Sequence, residues 1–157
     1  MKITWRHFPA GEHGFFRAPV LLAGTSEAIL IDAGFTLADG RKVADAIRAS
    51  GKRLTTVYVS QSDPDYHFSL APIRAAFPDA RFIAAEAAVA AIHANVQKKL
   101  DAWGPRLKDN GPQTLADVVF PVVFKAPRSS SRARPSRSSR RPWASPSTSV
   151  PRSRKGR

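Results

Sequence analysis

An α/β layered fold is predicted for this chain, and three observations predict it. Short runs rich in Val, Ile and Leu, such as "EAILID" and "TTVYVS", alternate with longer segments whose apolar residues recur every three or four positions. Turn and capping residues fall between the two kinds of segment. The 157 residues suffice for one ordinary domain with a buried core.

In chain order, residues 2–7 and 15–23 read as strands, followed by 27–34 ("EAILIDAG"), a buried strand ending in Asp32 and Gly34. A helix fits residues 37–50. Thr36 and Asp39 give it a capping-box pattern, Val43, Ala46 and Ile47 an apolar face, and Gly51 a stop. Residues 54–60 form the next strand. Ser69 caps a short helix with Pro72 in its first turn and Leu70, Ile73 and Phe77 facing inward. The strand "ARFIAA" precedes a long helix with Val89, Ile92, Val96, Leu100 and Trp103 at helical spacing, closed by Gly104–Pro105. Strands alternating with helices stack as α/β layers.

Composition divides the chain into a domain, residues 1–126, and a tail, residues 127–157. Ten of the thirteen net positive charges belong to the tail, which holds ten Lys or Arg and no acid. The domain sets fifteen bases against all twelve acids. Ser, Arg, Lys and Pro make up 25 of the 31 tail residues, too few apolar groups to offset ordering entropy, so disorder is expected there. Three readings of the tail stand side by side: a basic arm binding polyanions without reading sequence, a plain solvated tail, or GC-rich coding DNA translated out of frame. The absence of cysteine removes disulfides and thiolate metal sites. The start has no apolar leader and no run approaches a membrane span, so a cytoplasmic protein without a membrane segment is expected.

The stretch "VYVSQSDPDYHFSL", residues 57–70, carries the chemistry. In an extended segment residues two apart point the same way, so Gln61, Asp63, Asp65 and His67 converge at the end of a strand. Converging carboxylates repel unless a cation lies between them. Ser-Asp-Pro-Asp is equally good turn chemistry. Asp32 likewise reads either as a supporting carboxylate or as an acid at a strand exit.

The order "AILIDAGF", helix, strand, "VSQSDPDYHFSL" resembles the N-terminal half of the metallo-β-lactamase-fold hydrolases. Their metal loop reads Thr-His-x-His-x-Asp-His-x-x-Gly after a strand. "HFPAGEHGF" and "VQKKLDAWGPRLKDNGP" extend the likeness over roughly residues 1–125. The loop is most similar to the Vmh-type branch, His-x-Asp-Pro-Asp-Tyr-Tyr-Phe-Gly. Gln61 then falls on the first loop histidine, Asp63 on the second, Asp65 on the aspartate, Tyr66 on the third histidine and Ser69 on the glycine. Asp63, Pro64, Asp65 and Tyr66 agree with the branch; Gln61 and Ser69 depart from it.

The resemblance implies an αββα sandwich of two similar halves, of which this chain holds the N-terminal one. It implies a divalent metal, zinc in the family, with Mg or Mn better suited to oxygen donors. Gln61, Asp63 and Asp65 would be its ligands, with His67 as a substitute one. Asp65 would also be the catalytic proton acceptor, Asp32 would orient a ligand and Tyr66 would line the site. The implied reaction is attack of metal-bound hydroxide on an ester, lactone, amide or thioester of an unidentified small molecule. No histidine follows His93 to supply second-half ligands, and the likeness fades near "FPVVFK", where the composition turns basic. A reading-frame change explains both. Half of a sandwich exposes an apolar sheet face, so a homodimer is the expected substitute. The rival class is a nucleic-acid-binding protein using the tail on a non-catalytic scaffold.

Overall fold

A computed structural model describes residues 2–125. The tail, with the disorder and polyanion binding expected of it, lies outside the described residues. Six strands form a single sheet in chain order: β1 (Thr4–His7), β2 (Val20–Ala23), β3 (Glu27–Ile31), β4 (Arg53–Val59), β5 (Arg81–Ala84) and β6 (Val122–Val123). The first three pair antiparallel; β3 to β6 run parallel. Parallel neighbours need crossovers, and helices supply them. These are α1 (Leu37–Ala49), then α2 (Pro64–His67) with α3 (Leu70–Ala76), then α4 (Glu86–Leu107).

All the long crossovers lie on one face. Leu21, Leu30, Leu54, Val57, Val59 and Phe82 form one buried cluster with Val43 and Ile47 of α1, Leu70 and Ile73 of α3, and Ile92 of α4. A bulge makes this possible on β4. Leu54 pairs with Ala28 and Thr56 with Ile29, leaving Thr55 as the extra residue. The inserted residue flips the alternation, so Leu54 and then Val57 and Val59 all reach the core. The hydroxyl of Thr55 donates to Ala28 O at 3.2 Å.

The opposite face consists of two cross-strand rows. One runs through Trp5, Leu22, Ile29 and Thr56; the other through Val20, Ile31, Tyr58, Ile83 and Val122. None of these residues belongs to a buried apolar cluster.

Several elements depart from expectation. The strand expected over 15–23 begins only at Val20, because Phe15 and Phe16 take positive φ (53° and 54°) after a short 3-10 turn at Glu12–Gly14. Helix α4 runs through Gly104–Pro105 to Leu107. Proline costs a bond in this last turn, and the Gln113 amide helps satisfy the carbonyls there, donating to Gly104 O (3.2 Å) and Lys108 O (2.6 Å). At α1, Thr36 accepts from Asp39 N as expected (3.1 Å). The Asp39 carboxylate, however, accepts the Thr36 hydroxyl (2.6 Å), so the reciprocal half of the capping box is replaced by a side-chain pair. Ser69 precedes α3 without a capping bond from its side chain.

Candidate functional site

Three loops meet at the C-terminal ends of β3 and β4, where α/β sheets place their sites. Asp32 closes β3 in the left-handed region (φ 59°), which Asp tolerates better than most residues, and Gly34 follows at φ 102°. This bend lays the 32–34 segment against the 60–69 loop. Asp32 N donates to Tyr58 O (2.8 Å), Ala33 N to Tyr66 O (2.9 Å) and Ser69 N to Gly34 O (3.3 Å). The Asp32 carboxylate accepts from Ser60 N (2.7 Å) and from the Ser60 hydroxyl (2.8 Å). Burial still pushes its pKa up, against the lowering effect of Ser60 and Arg17.

The acidic loop does not stay extended. Pro64 occupies the first position of α2 with Asp63 preceding it, and proline at that position is preset for a helix. The expected convergence of Gln61, Asp63, Asp65 and His67 is therefore lost. Asp65 turns toward Arg17, whose guanidinium donates to its carboxylate and packs 4.4 Å from the Tyr66 ring centre. That hydrogen bond holds the guanidinium more firmly protonated, and the negative charge of Asp63 adds to the effect. Asp63 is exposed and accepts from Lys99 Nζ of α4 at 2.8 Å. Gln61 is exposed.

His67 is buried, at 2% exposure, with Nε2 3.4 Å from Ser62 O. A carbonyl only accepts, so Nε2 carries the proton. Burial drives the His67 pKa down to about 4, so the ring is neutral near pH 7. Its Nδ1 and the Ser69 hydroxyl oxygen are buried with no partner.

A cavity of about 440 Å³ opens beside the Arg17–Asp65 and Lys99–Asp63 pairs. Its apolar wall is an aromatic group: Phe15 lies 5.1 Å from Phe35 and 5.5 Å from Trp103, ring centre to ring centre, and Phe35 lies 5.3 Å from Trp103. Sequence reasoning missed Arg17, Lys99 and this wall. Arg17 lies 48 positions from its partner and Lys99 36 from its own, and no local pattern links such distant residues. Trp103 was legible as a helix-face residue, though not as part of a cavity.

These donors do not fit a divalent cation. Among the described residues no three His, Asp or Glu side chains come together closely enough to hold one. Each loop carboxylate already faces a cation of the protein itself, the loop imidazole is turned into the interior, and the amide at position 61 is a weak donor.

No family model and no curated protein matches the chain. Solved structures do. MEM-A1, a subclass B3 metallo-β-lactamase from a soil metagenome library, is 18% identical with a TM-score of 0.53, over 77% of this chain and 43% of its own. A Cronobacter sakazakii metallo-β-lactamase with an HARLDQ motif is 30% identical over 46% of this chain and 27% of its own, at a TM-score of 0.40. The Rm3 metallo-β-lactamase is 24% identical over 46% and 28%, also at 0.40. The chain spans less than half the length of each of these. The six-strand α/β architecture is that of the metallo-β-lactamase fold. Among the described residues no helix is long and apolar enough to cross a membrane.

Proposed function

We propose that this chain carries the N-terminal part of a metallo-β-lactamase-fold hydrolase, with a loop of the Vmh type, in a form that does not hold the fold's metal. One observation carries the second clause: the loop carboxylates Asp65 and Asp63 are neutralised by Arg17 and Lys99. The first clause is supported by the fold, by the Asp63-Pro64-Asp65-Tyr66 run, and by a match to 43% of the MEM-A1 chain.

For the longer protein the reading assigns hydrolysis of an ester, lactone, amide or thioester, with zinc, Mn or Mg as the metal. The cavity walled by Phe15, Phe35 and Trp103 is the entry for a small substrate with an apolar portion. Within this chain, Asp32 and Ser60 brace the loop and Tyr66 supports Arg17. Nucleic-acid binding is the weaker alternative. The bases and acids of residues 1–126 nearly balance, and the excess charge sits in residues 127–157.

The test is to sequence the coding DNA from the codon of Leu115 onward and translate all three frames. The reading predicts that a second frame continues strand and helix periodicity and supplies further histidines and an aspartate. Three frames without such a pattern remove it.

A further inference from the structure

A second cavity, of about 500 Å³, adjoins the one beside the loop carboxylates, and Asp63, Lys99 and Trp103 line both. The two ends differ in chemistry. The first is walled by aromatic rings, Phe15 and Phe35 each meeting Trp103 edge-on (78° and 88° between planes). The second is lined by Asn95, Lys98, Ala102 and Arg106 of α4, positions three or four apart that make one stripe of the helix. Lys98, Ala102 and Arg106 stand on successive turns, and the small alanine leaves open space between the two cations. The Arg106 guanidinium packs 5.0 Å from the Trp103 ring centre, at the junction of the two ends.

Charge in the second cavity is unbalanced. Asp63 is the one acid lining it among the described residues, and Lys99 already donates to that carboxylate at 2.8 Å. Asp101, on the same helix, accepts from Gln97 at 2.8 Å and lies outside the lining. Lys98 and Arg106 are exposed and, among the described residues, belong to no ion pair.

We infer that the two cavities together bind a small amphipathic carboxylate. Its apolar part lies against Phe15, Phe35 and Trp103, and its carboxylate lies between Lys98 and Arg106. This rests on the reading of the aromatic cavity as a ligand entry and gives that ligand a charge. A guanidinium meets a carboxylate with two parallel N–H bonds, an ammonium opposite adds a point charge, and the Asn95 amide offers a further donor. Each cavity has the volume of a small-molecule site, about 300–1,000 Å³, and the charged stripe covers only about three turns, so the fit is to a small molecule rather than a polymer. Residues 127–157 hold ten bases and no acid, so the chain's own tail does not complement these cations.

Amide NMR titration of 4-phenylbutyrate, and of its neutral amide 4-phenylbutanamide, into the full chain tests this. The expected result is saturable binding of both, with shifts centred on residues 95–106. The carboxylate binds about tenfold tighter, as two exposed ion pairs together give. Lys98→Gln and Arg106→Gln each weaken the carboxylate about threefold, with little effect on the amide. Arg41→Gln, at an exposed arginine of α1, changes neither. All three positions are exposed and glutamine is a good helix former, so the variants keep the fold. Equal affinity for the two ligands overturns the carboxylate site and leaves the aromatic entry standing. So does a carboxylate preference that survives both α4 substitutions, as it would if residues 127–157 held the anion. Binding of neither ligand overturns the site and the entry together.

Discussion

On the helix-covered face of the sheet, Leu30, Val57, Val59 and Ile47 are 0% exposed, with apolar neighbours on every packed element. At the C-terminal ends of the same strands the residues break one rule after another. Asp32, Phe15 and Phe16 hold positive φ, two buried polar atoms lack partners, and charges meet in pairs beside a cavity. In the first region, pattern, packing and polarity agree, which is how a sequence specifies one fold. In the second they conflict, and conflicts of this kind gather where a chain has been shaped for something besides stability. The difference separates residues that build the scaffold from residues that define a site.

Substitutions in the two regions should differ in size and in kind. The largest effect belongs to the covered face: Leu30→Ala removes a fully buried side chain and leaves a cavity, costing about 2–5 kcal/mol in urea unfolding. A loss under about 1 kcal/mol places Leu30 outside the core and blurs the comparison.

His67 comes next, through pH. The folded protein holds its pKa down at about 4 by burial, while the unfolded chain protonates near 6.5. Above both values the ring is neutral in each state and contributes no pH slope. As pH falls, the unfolded chain binds the proton first, so stability drops by about 3 kcal/mol between roughly pH 6.5 and 4. His67→Leu removes that part of the slope. Equal slopes in the two proteins contradict a buried neutral His67.

Gly40 is smaller and marks the seam between the regions. A Cβ there collides with the Ser69 carbonyl oxygen and with Pro72 at the head of α3. Gly40→Ala therefore costs about 1–3 kcal/mol, as overpacking does, although alanine is the better helix former. Stabilisation instead shows that α1 and α3 have room to part.

The covered face was largely legible in the sequence. Leu70 and Ile73 of α3, and Ile92, Val96 and Leu100 of α4, are buried as their spacing predicts. What escaped has definite causes. Phe15 and Phe16 look like strand residues, but the short turn before them sets their positive φ, and Phe15 packs on Phe35 and Trp103. Position 61–67 alternation suggested convergence, and Pro64 turned the segment into helix instead. Gly104–Pro105 looked like a stop, but Gln113, nine residues past Gly104, returns to its carbonyl. The acidic run Asp63-Pro64-Asp65-Tyr66 after β4 was legible, and its counter-charges, Arg17 and Lys99, were not.

The smallest stability effect carries the most functional weight. Arg17 is half exposed, and its ion pair is worth no more than about 1 kcal/mol, so Arg17→Gln barely alters unfolding. It does leave Asp65, Asp63 and Asp32 short of their shared positive charge. Isothermal titration of Mn²⁺ and Zn²⁺ into the full chain and into Arg17→Gln is therefore the most direct measurement. The expected result is no saturable binding to the native chain at micromolar cation, and only weak, millimolar binding to Arg17→Gln, which frees Asp65 without bringing a third ligand to it. Stoichiometric micromolar binding by the native chain, abolished by Asp65→Asn, contradicts the claim that the protein's own cations stand in place of the metal.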